Sequence, residues 1–188
     1  VDVSKKGILQ EVASKKRSFD FFSSAGYLVN PDEILRKTGK SIQVYNTIKK
    51  DSHVKACIRS RKAGVQSMLW DIDKSKTKSK HSKFIIEVFK KLPLYRIISD
   101  ILEAPLFGYK PLEVMWKKTT ISGREAIIPY NIKGKPNRWF VFDDDGNLKF
   151  RSKENIWGEL LPPRKFICPT QEADDDNPYG FADLSLCF

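Results

Sequence analysis

Cysteine, histidine and long apolar runs are scarce in this 188-residue chain. Cys57, Cys168 and Cys187 are widely spaced without a Cys-x-x-Cys pair, and His53 and His81 are the only imidazoles, so neither a zinc site nor a disulfide framework is predicted. We interpret Cys57 as a small buried hydrophobe in a reducing compartment. No apolar run approaches the roughly 20 residues of a membrane-spanning helix, and no signal peptide is recognisable. The sequence therefore predicts a soluble, intracellular protein.

Sequence motifs of common enzymes are also missing. There is no Gly-x-Ser-x-Gly, no glycine-rich phosphate loop and no His-Glu-x-x-His, and Thr38–Ser41 matches only the end of a phosphate loop. The acidic runs 143–145 and 174–176 could suggest a two-metal nuclease, but consecutive carboxylates in a turn point in different directions. Solvated turns explain them better. We predict no enzyme activity, no catalytic residue, no metal ligand and no cofactor.

The charge of the chain is basic and unevenly distributed. It has 34 Lys and Arg against 23 Asp and Glu, a net charge of +11. Residues 1–80 hold 18 basic and 8 acidic residues, and residues 81–188 hold 16 and 15. Such an excess fits a surface that meets nucleic acid or an acidic protein, or simply a solvated basic face, which we favour. The candidate nucleic-acid contacts are Lys74, Lys76, Lys78 and Lys80, although alternating lysines are also typical of a mobile loop.

Composition divides the chain into three segments. Residues 1–27 form a basic and aromatic N-terminal arm, and residues 28–180 form one α+β domain with a flexible lysine-rich loop at 73–82. Residues 181–188 begin a further apolar element that the sequence does not complete. We therefore expect the chain to be a fragment of a longer protein.

The first part of the domain is predicted to be helical. A short helix is expected over 31–37, a second follows the capping residue Ser41, and a longer third begins after Asp51 or Ser52. The buried stripe of the third helix is predicted to contain Val54, Cys57 or Ile58, Arg61 and Val65.

The apolar periodicity changes along the next part of the domain. Alternation over 65–72 predicts a strand, and helical spacing then predicts a helical pair over 84–92 and 95–106. Pro93 separates the two helices, and Gly108 ends the second.

The remaining sequence is predominantly of β type. Residues 111–116 and 126–130 are predicted to form one hairpin and residues 139–150 a second, so that 109–150 make an antiparallel meander. A weak helix over 154–161 and a short strand over 165–168 are expected to follow. The fold class is therefore α+β: N-terminal helices and a strand, a helical pair, then the meander.

The four tryptophans have two interpretations. Trp70, Trp116, Trp139 and Trp157 could stack on the bases of a single strand, which would make the chain a single-strand nucleic-acid-binding module. Three of the four lie in strand patterns with apolar neighbours, so packing in a core or between subunits is the preferred interpretation.

Four local patterns follow one another in an order that resembles one protein family. They are D-x-H through R-K-x-x-V to a tryptophan in 51–72, G-Y-x-x-x-E-x-x-W in 108–116, R-W-F-x-F-D-x-x-G-x-L in 138–148, and K-F-I with N-P-Y-G at 165–167 and 177–180. Together they resemble the portal proteins of Mu-like phages and prophages. The resemblance assigns the chain to the outer wing region of such a protein.

This resemblance implies a structural protein. Portal subunits form a ring at one capsid vertex through which DNA is packaged and ejected; they assemble in the host cytoplasm and remain in the virion. The implied partners are copies of the chain itself, capsid and terminase proteins, and DNA that passes without sequence-specific contact, with no membrane and no small-molecule substrate. The matched positions have architectural roles: Trp70, Gly108, Trp116, Trp139, Phe140, Gly146, Pro178, Tyr179 and Gly180.

Overall fold

The computed structural model describes residues 32, 35, 42–73, 79–121, 123–143, 146–174 and 177–187. Helices come first along the chain, and antiparallel strands in two small sheets follow them. The predicted α+β class is therefore confirmed.

Five α-helices lie in the first half of the described chain. They are α1 (Gln43–Ile48), α2 (Ser52–Gln66), α3 (Ser79–Lys90), α4 (Leu94–Ile101) and α5 (Ala104–Phe107). Asp51 caps α2 as predicted, because its Oδ1 accepts hydrogen bonds from the backbone N–H groups of His53 at 2.9 Å and Val54 at 3.0 Å. The predicted helix over 95–106 is wrong as one element, because Leu102 and Glu103 form a turn that divides it into α4 and α5. Gly108 ends α5 with a φ of 85°, a conformation that favours glycine.

The predicted strand over 65–72 is wrong. Val65 and Gln66 complete α2, and residues 67–73 have no regular secondary structure. No described strand pairs with this segment, so its alternating apolar residues do not build a sheet. The helix α3 already begins at Ser79, which shortens the expected loop, while residues 74–78 lie outside the described residues. Of the predicted helix 31–37, Leu35 is helical and Asp32 is not, and the rest lies outside the described residues.

The predicted buried stripe of α2 is also wrong, because α2 has no fully buried residue. Val54 and Ile58 are half-buried, but Cys57, Arg61 and Val65 are exposed. One side of α2 packs on α4. The half-buried polar residues Lys62 and Gln66 also lie on that side. Cys57 is therefore an exposed thiol and not a core residue.

The strands form two three-stranded antiparallel sheets. The first has the order β2 (Arg124–Gly134), β1 (Leu112–Ile121), β6 (Phe166–Ile167), and the second has the order β3 (Phe140–Phe142), β4 (Leu148–Phe150), β5 (Glu159–Leu160). Both predicted hairpins and the short strand near 166 are confirmed.

The single predicted meander is wrong, because β2 and β3 belong to different sheets. The chain leaves β2 through Pro136, which has no N–H to extend a ladder, and turns through a 3-10 helix over Asn137–Trp139. The predicted helix over 154–161 is wrong as well. Gly158 has a φ of 104°, which a helix does not allow, and Glu159–Leu160 pairs with β4 as a strand.

Three small clusters of buried side chains hold these elements together. One joins α1 and α5 to the final 3-10 helix, Asp183–Cys187, and the other two lie on the two sheets. The buried members are Leu35, Tyr45, Phe107, Ala182 and Leu184 in the first cluster, Trp139, Phe140 and Phe150 in the second, and Val88, Ile121 and Ile128 in the third.

Among the described residues, three charged side chains are also buried, where the first sheet meets its flanking segments. Glu113 of β1 is fully buried; its Oε2 lies 3.0 Å from Lys135 Nζ and its Oε1 lies 3.3 Å from Lys165 Nζ. Both lysines are buried as well. We call these three residues the buried triad. Burying charges without partners is costly, so the triad depends on all three groups being in place.

Candidate assembly surfaces

Two glycines from distant motifs meet where α5 enters the first sheet. Gly108 has a φ of 85°, and a Cβ there would lie 2.6 Å from the carbonyl oxygen of Tyr179. Gly180 has a φ of 69°, and a Cβ there would lie 2.2 Å from the carbonyl oxygen of Gln171 and 2.7 Å from that of Gly108. Only glycine fits such positions without moving backbone. The two chain segments therefore cross in direct backbone contact.

Three aromatic rings surround this crossing. The ring centroids of Tyr109, Phe142 and Tyr179 lie 4.9 to 5.6 Å apart with near-perpendicular planes. The hydroxyl of Tyr179 accepts a hydrogen bond from the N–H of Phe142 at 3.1 Å, and the hydroxyl of Tyr109 donates to the carbonyl of Asn137 at 3.0 Å. Burial raises the pKa of both tyrosines, so both stay neutral. The cluster is a rigid joint between α5, the second sheet and the closing loop.

The other motif residues in the strands and turns also lie inside the molecule or against it. Trp139 and Phe140 are buried, and the ring of Phe140 lies 5.5 Å from that of Phe150. The indole N–H of Trp116 donates to the carbonyl of Arg164 at 3.0 Å. Gly146 adopts a φ of 73° ahead of β4, where a Cβ would lie 3.9 Å from Cβ of Pro178.

Trp70 is a motif residue with a large apolar side chain that the fold leaves exposed. Its side chain is 49% exposed, and its ring lies 5.9 Å from that of Phe89 on α3. Phe84, Ile85 and Phe89, whose helical spacing predicted α3, are 38–39% exposed. We call Trp70, Phe84, Ile85 and Phe89 the outer apolar face. Within the described chain α3 buries Val88 and Ser82, so most of its apolar side remains open.

The predicted nucleic-acid contacts are only partly described. Lys80 is exposed in the first turn of α3, whereas Lys74, Lys76 and Lys78 lie outside the described residues. Residues 42–107, which contain the helices α1 to α5, carry 14 Lys and Arg against 6 Asp and Glu, and residues 108–188 carry 12 of each. The excess of basic over acidic residues in 42–188 therefore lies in the helical part, residues 42–107.

The described residues of the two acidic runs, Asp143 and Asp174, accept hydrogen bonds within turns. Asp143 Oδ1 accepts from the N–H of Asn147 at 2.7 Å and its Oδ2 lies 3.0 Å from Lys149 Nζ, which together lower the pKa of Asp143. Asp174 accepts from the N–H of Asn177 at 2.7 Å. Residues 144, 145, 175 and 176 lie outside the described residues. Among the residues that the structure describes, no three His, Cys, Asp or Glu side chains gather as metal ligands.

A charged group that the sequence did not reveal connects four helices. Glu103, which precedes α5, accepts hydrogen bonds from the ammonium groups of Lys49 and Lys62, and Lys62 also donates to the carbonyl of Ser99 at 2.8 Å. We call Glu103, Lys49 and Lys62 the helix clamp. Burial acts to raise the pKa of Glu103, but the two lysines outweigh it, so the pKa is lowered.

The comparison with known families gives a match that covers the part of the chain in which these motifs lie. A family model described as the portal protein of Mu bacteriophage matches residues 42–188, more than three quarters of the chain. This chain belongs to the Mu portal family. No individual curated protein matches it. The Mu portal match contains every residue of the glycine crossing, the outer apolar face and the helix clamp. None of the helices in the described part of this portal chain is long and apolar enough to cross a bilayer.

Proposed function

We propose that this Mu portal family chain is a structural subunit, or a wing-region part of one, in the ring at the capsid vertex through which DNA is packaged and ejected. Its role is mechanical and not catalytic, and its partners are copies of itself together with capsid and terminase proteins. The observation that carries the proposal is the outer apolar face, a patch of two phenylalanines, an isoleucine and a tryptophan on a chain of this family.

The physical argument starts from the composition of that face. Aromatic side chains are enriched at the buried centres of protein interfaces, where they supply much of the binding energy. Each of the four side chains is 38–49% exposed in the single chain. Covering them would contribute about 1 kcal/mol each, because fully burying a large apolar side chain is worth roughly 1.5–3 kcal/mol. A neighbouring subunit is the partner that a ring supplies at every position.

The basic charge of the helical part, residues 42–107, supports the proposal that DNA passes without sequence-specific contact. Residues 42–107 carry a net charge of +8, from 14 basic and 6 acidic residues. Such a field attracts a polyanion but carries no base information. We propose that Lys74, Lys76, Lys78 and Lys80 contact phosphates when DNA is near. This contact weakens steeply as salt concentration rises.

The assembly proposal is tested by a charge placed on the outer apolar face. Phe89→Lys is compared with Leu160→Lys, since Leu160 is 77% exposed on β5 of the second sheet, away from this face. Sedimentation velocity over a range of concentrations should show self-association in the wild-type chain and in Leu160→Lys, and its loss in Phe89→Lys. A wild-type chain that stays monomeric throughout, or association that Phe89→Lys leaves intact, would count against the proposal.

A second candidate function is supported by the exposure of Trp70. Its ring lies beside Phe89 on a helix that also carries the exposed Lys80 and Lys83, a combination that single-strand binding modules use for stacking. Titration of the tryptophan fluorescence with an oligonucleotide at low salt tests this candidate. The absence of quenching eliminates it.

A further inference from the structure

A cleft of about 290 Å³ opens between α1, the start of α5 and the segment that follows β2. Its volume is several times the roughly 30 Å³ share of one water molecule, so a small polyatomic group fits with room for solvent. The residues that line it include Gln43, Asn46, Phe107, Lys110, Asn137 and Arg138.

Lys110 is the unusual residue of this cleft. Its side chain is half-buried, and within the described residues its ammonium group has no hydrogen bond and no ion pair. Desolvation lowers the pKa of Lys110, although the charges of Glu103 and Asp100 act in the opposite direction. A cation removed from water without a partner is costly, which makes this position receptive to an anion.

The nearest carboxylates make their hydrogen bonds to other groups. Glu103 accepts from the two lysines of the helix clamp, and Asp100 Oδ2 accepts from the N–H of Gly134 at 3.0 Å. Gly134 also leaves the space beside Lys110 open, since a Cβ there would lie 3.0 Å from Cε of Lys110. The absence of a side chain at this position preserves the access of Lys110 to the cleft.

The charge around the cleft favours an anion as well. Among the residues that the structure describes, five cationic side chains and three carboxylates lie on its walls or in direct contact with the wall residues, a net charge of +2. They are Lys49, Lys62, Lys110, Lys135 and Arg138, with Asp100, Glu103 and Glu113.

We propose that this cleft binds a small oxyanion, a phosphate or carboxylate group, with Lys110 as the principal charged contact. The oxyanion accepts a charge-assisted hydrogen bond from the Lys110 ammonium, and the cleft residues Asn46 and Arg138 supply further donors. The site does not depend on ring formation, because every residue that defines it belongs to one chain.

The test uses inorganic phosphate and succinate as separate probes, each titrated into the 15N-labelled chain at constant ionic strength and neutral pH. Amide resonances of Asn46, Gly134 and Arg138 should shift and saturate with one or both probes. Lys110→Met should weaken this binding tenfold or more, the loss expected for one hydrogen bond to a charged group. Lys118→Met on β1 is the matched control, because Lys118 is 61% exposed and pairs with Glu125.

The outcomes separate cleanly. Saturation with phosphate alone, with succinate alone or with both supports the site and identifies the group that it takes. No saturable shift with either probe overturns the proposal, and so does equal weakening by Lys110→Met and Lys118→Met, which would mean that general charge attracts the anion. Lys110→Gln, which keeps a polar side chain, provides the same comparison if Lys110→Met does not fold.

Discussion

Glu103→Gln should destabilise the chain by about 2–4 kcal/mol at neutral pH. The substitution keeps the shape of the side chain but removes the charge that holds Lys49 and Lys62. A hydrogen bond to a charged group is worth roughly 1.5–3 kcal/mol, and removing one partner of a buried pair costs about 3–5 kcal/mol. The side chains of Glu103 and Lys62 are each 14% exposed and that of Lys49 is 30% exposed, so the expected loss lies between these limits.

The matched control is Glu87→Gln on α3. Glu87 and Lys91 form an i,i+4 pair at 3.0 Å, but their side chains are 44% and 53% exposed. An exposed pair of this kind contributes about 0.3–0.5 kcal/mol. The same chemical change should therefore cost several times less at Glu87 than at Glu103.

The pH dependence of Glu103→Gln has a definite sign. The folded protein lowers the pKa of Glu103 below its ordinary value of 4.5. The stabilisation from its carboxylate is therefore fully present above about pH 4.5 and is lost as the pH falls through the folded-state pKa. Urea unfolding of the wild type and both variants at pH 7 and at two acid pH values measures the free energy of unfolding and its dependence on pH. Equal losses for the two variants, or a loss at Glu103 that persists unchanged in acid, would refute this account of the helix clamp.

The remaining predictions concern glycines. Gly180→Ala should lower the free energy of unfolding by about 3 kcal/mol or more, since its Cβ would lie 2.2 Å from the carbonyl oxygen of Gln171 at a φ of 69°. Gly123→Ala, at a φ of 76° but with nothing within 4 Å of its Cβ, should cost only about 1 kcal/mol. Thermal unfolding compares the stability of the two variants. Equal losses would contradict the close approach of Gly180 to the Gln171 carbonyl oxygen. Gly64→Ala should raise the unfolding free energy by about 0.5–1 kcal/mol, because Gly64 is exposed inside α2 with open space around it. A loss of stability at Gly64 would show that another contact uses this position.

Local chemistry made several elements predictable from the sequence. Asp51 predicted the start of α2 and Gly108 predicted the end of α5, because a helix cap and a left-handed turn depend on neighbouring residues alone. The turns at Gly123 and Gly146 were equally predictable, and they located both hairpins. These features require no knowledge of distant parts of the chain.

Features that depend on distant contacts were not predictable in this way. Alternating residues at 65–72 resembled a strand, but a strand needs a partner and the fold supplies none in its described part. The third strand of the first sheet is β6, which pairs with β1 from more than 40 residues away. Glu103 meets Lys49 and Lys62 across 54 and 41 residues, a separation that no motif spacing records.

The same limit applied to the candidate surfaces. The apolar spacing of α3 correctly gave a helix, but periodicity cannot tell a face covered by the same chain from a face left open. The preferred interpretation of Trp70 is packing in a core or between subunits, and its side chain lies partly outside, together with those of Phe84 and Phe89.

The buried triad has a consequence for how the first sheet is assembled. Leu112 with Ile167 and Glu113 with Phe166 align β6 on β1, and the bridge between Tyr109 and Thr170 and the hydrogen bond from the Val114 N–H to the Lys165 carbonyl oxygen keep the same alignment. A displacement by one residue would turn Lys165 towards the opposite face and strand the Glu113 carboxylate in an apolar interior with one counter-charge fewer. The cost of leaving Glu113 with one counter-charge fewer therefore adds to the backbone pairings in favouring a single alignment of β6 on β1.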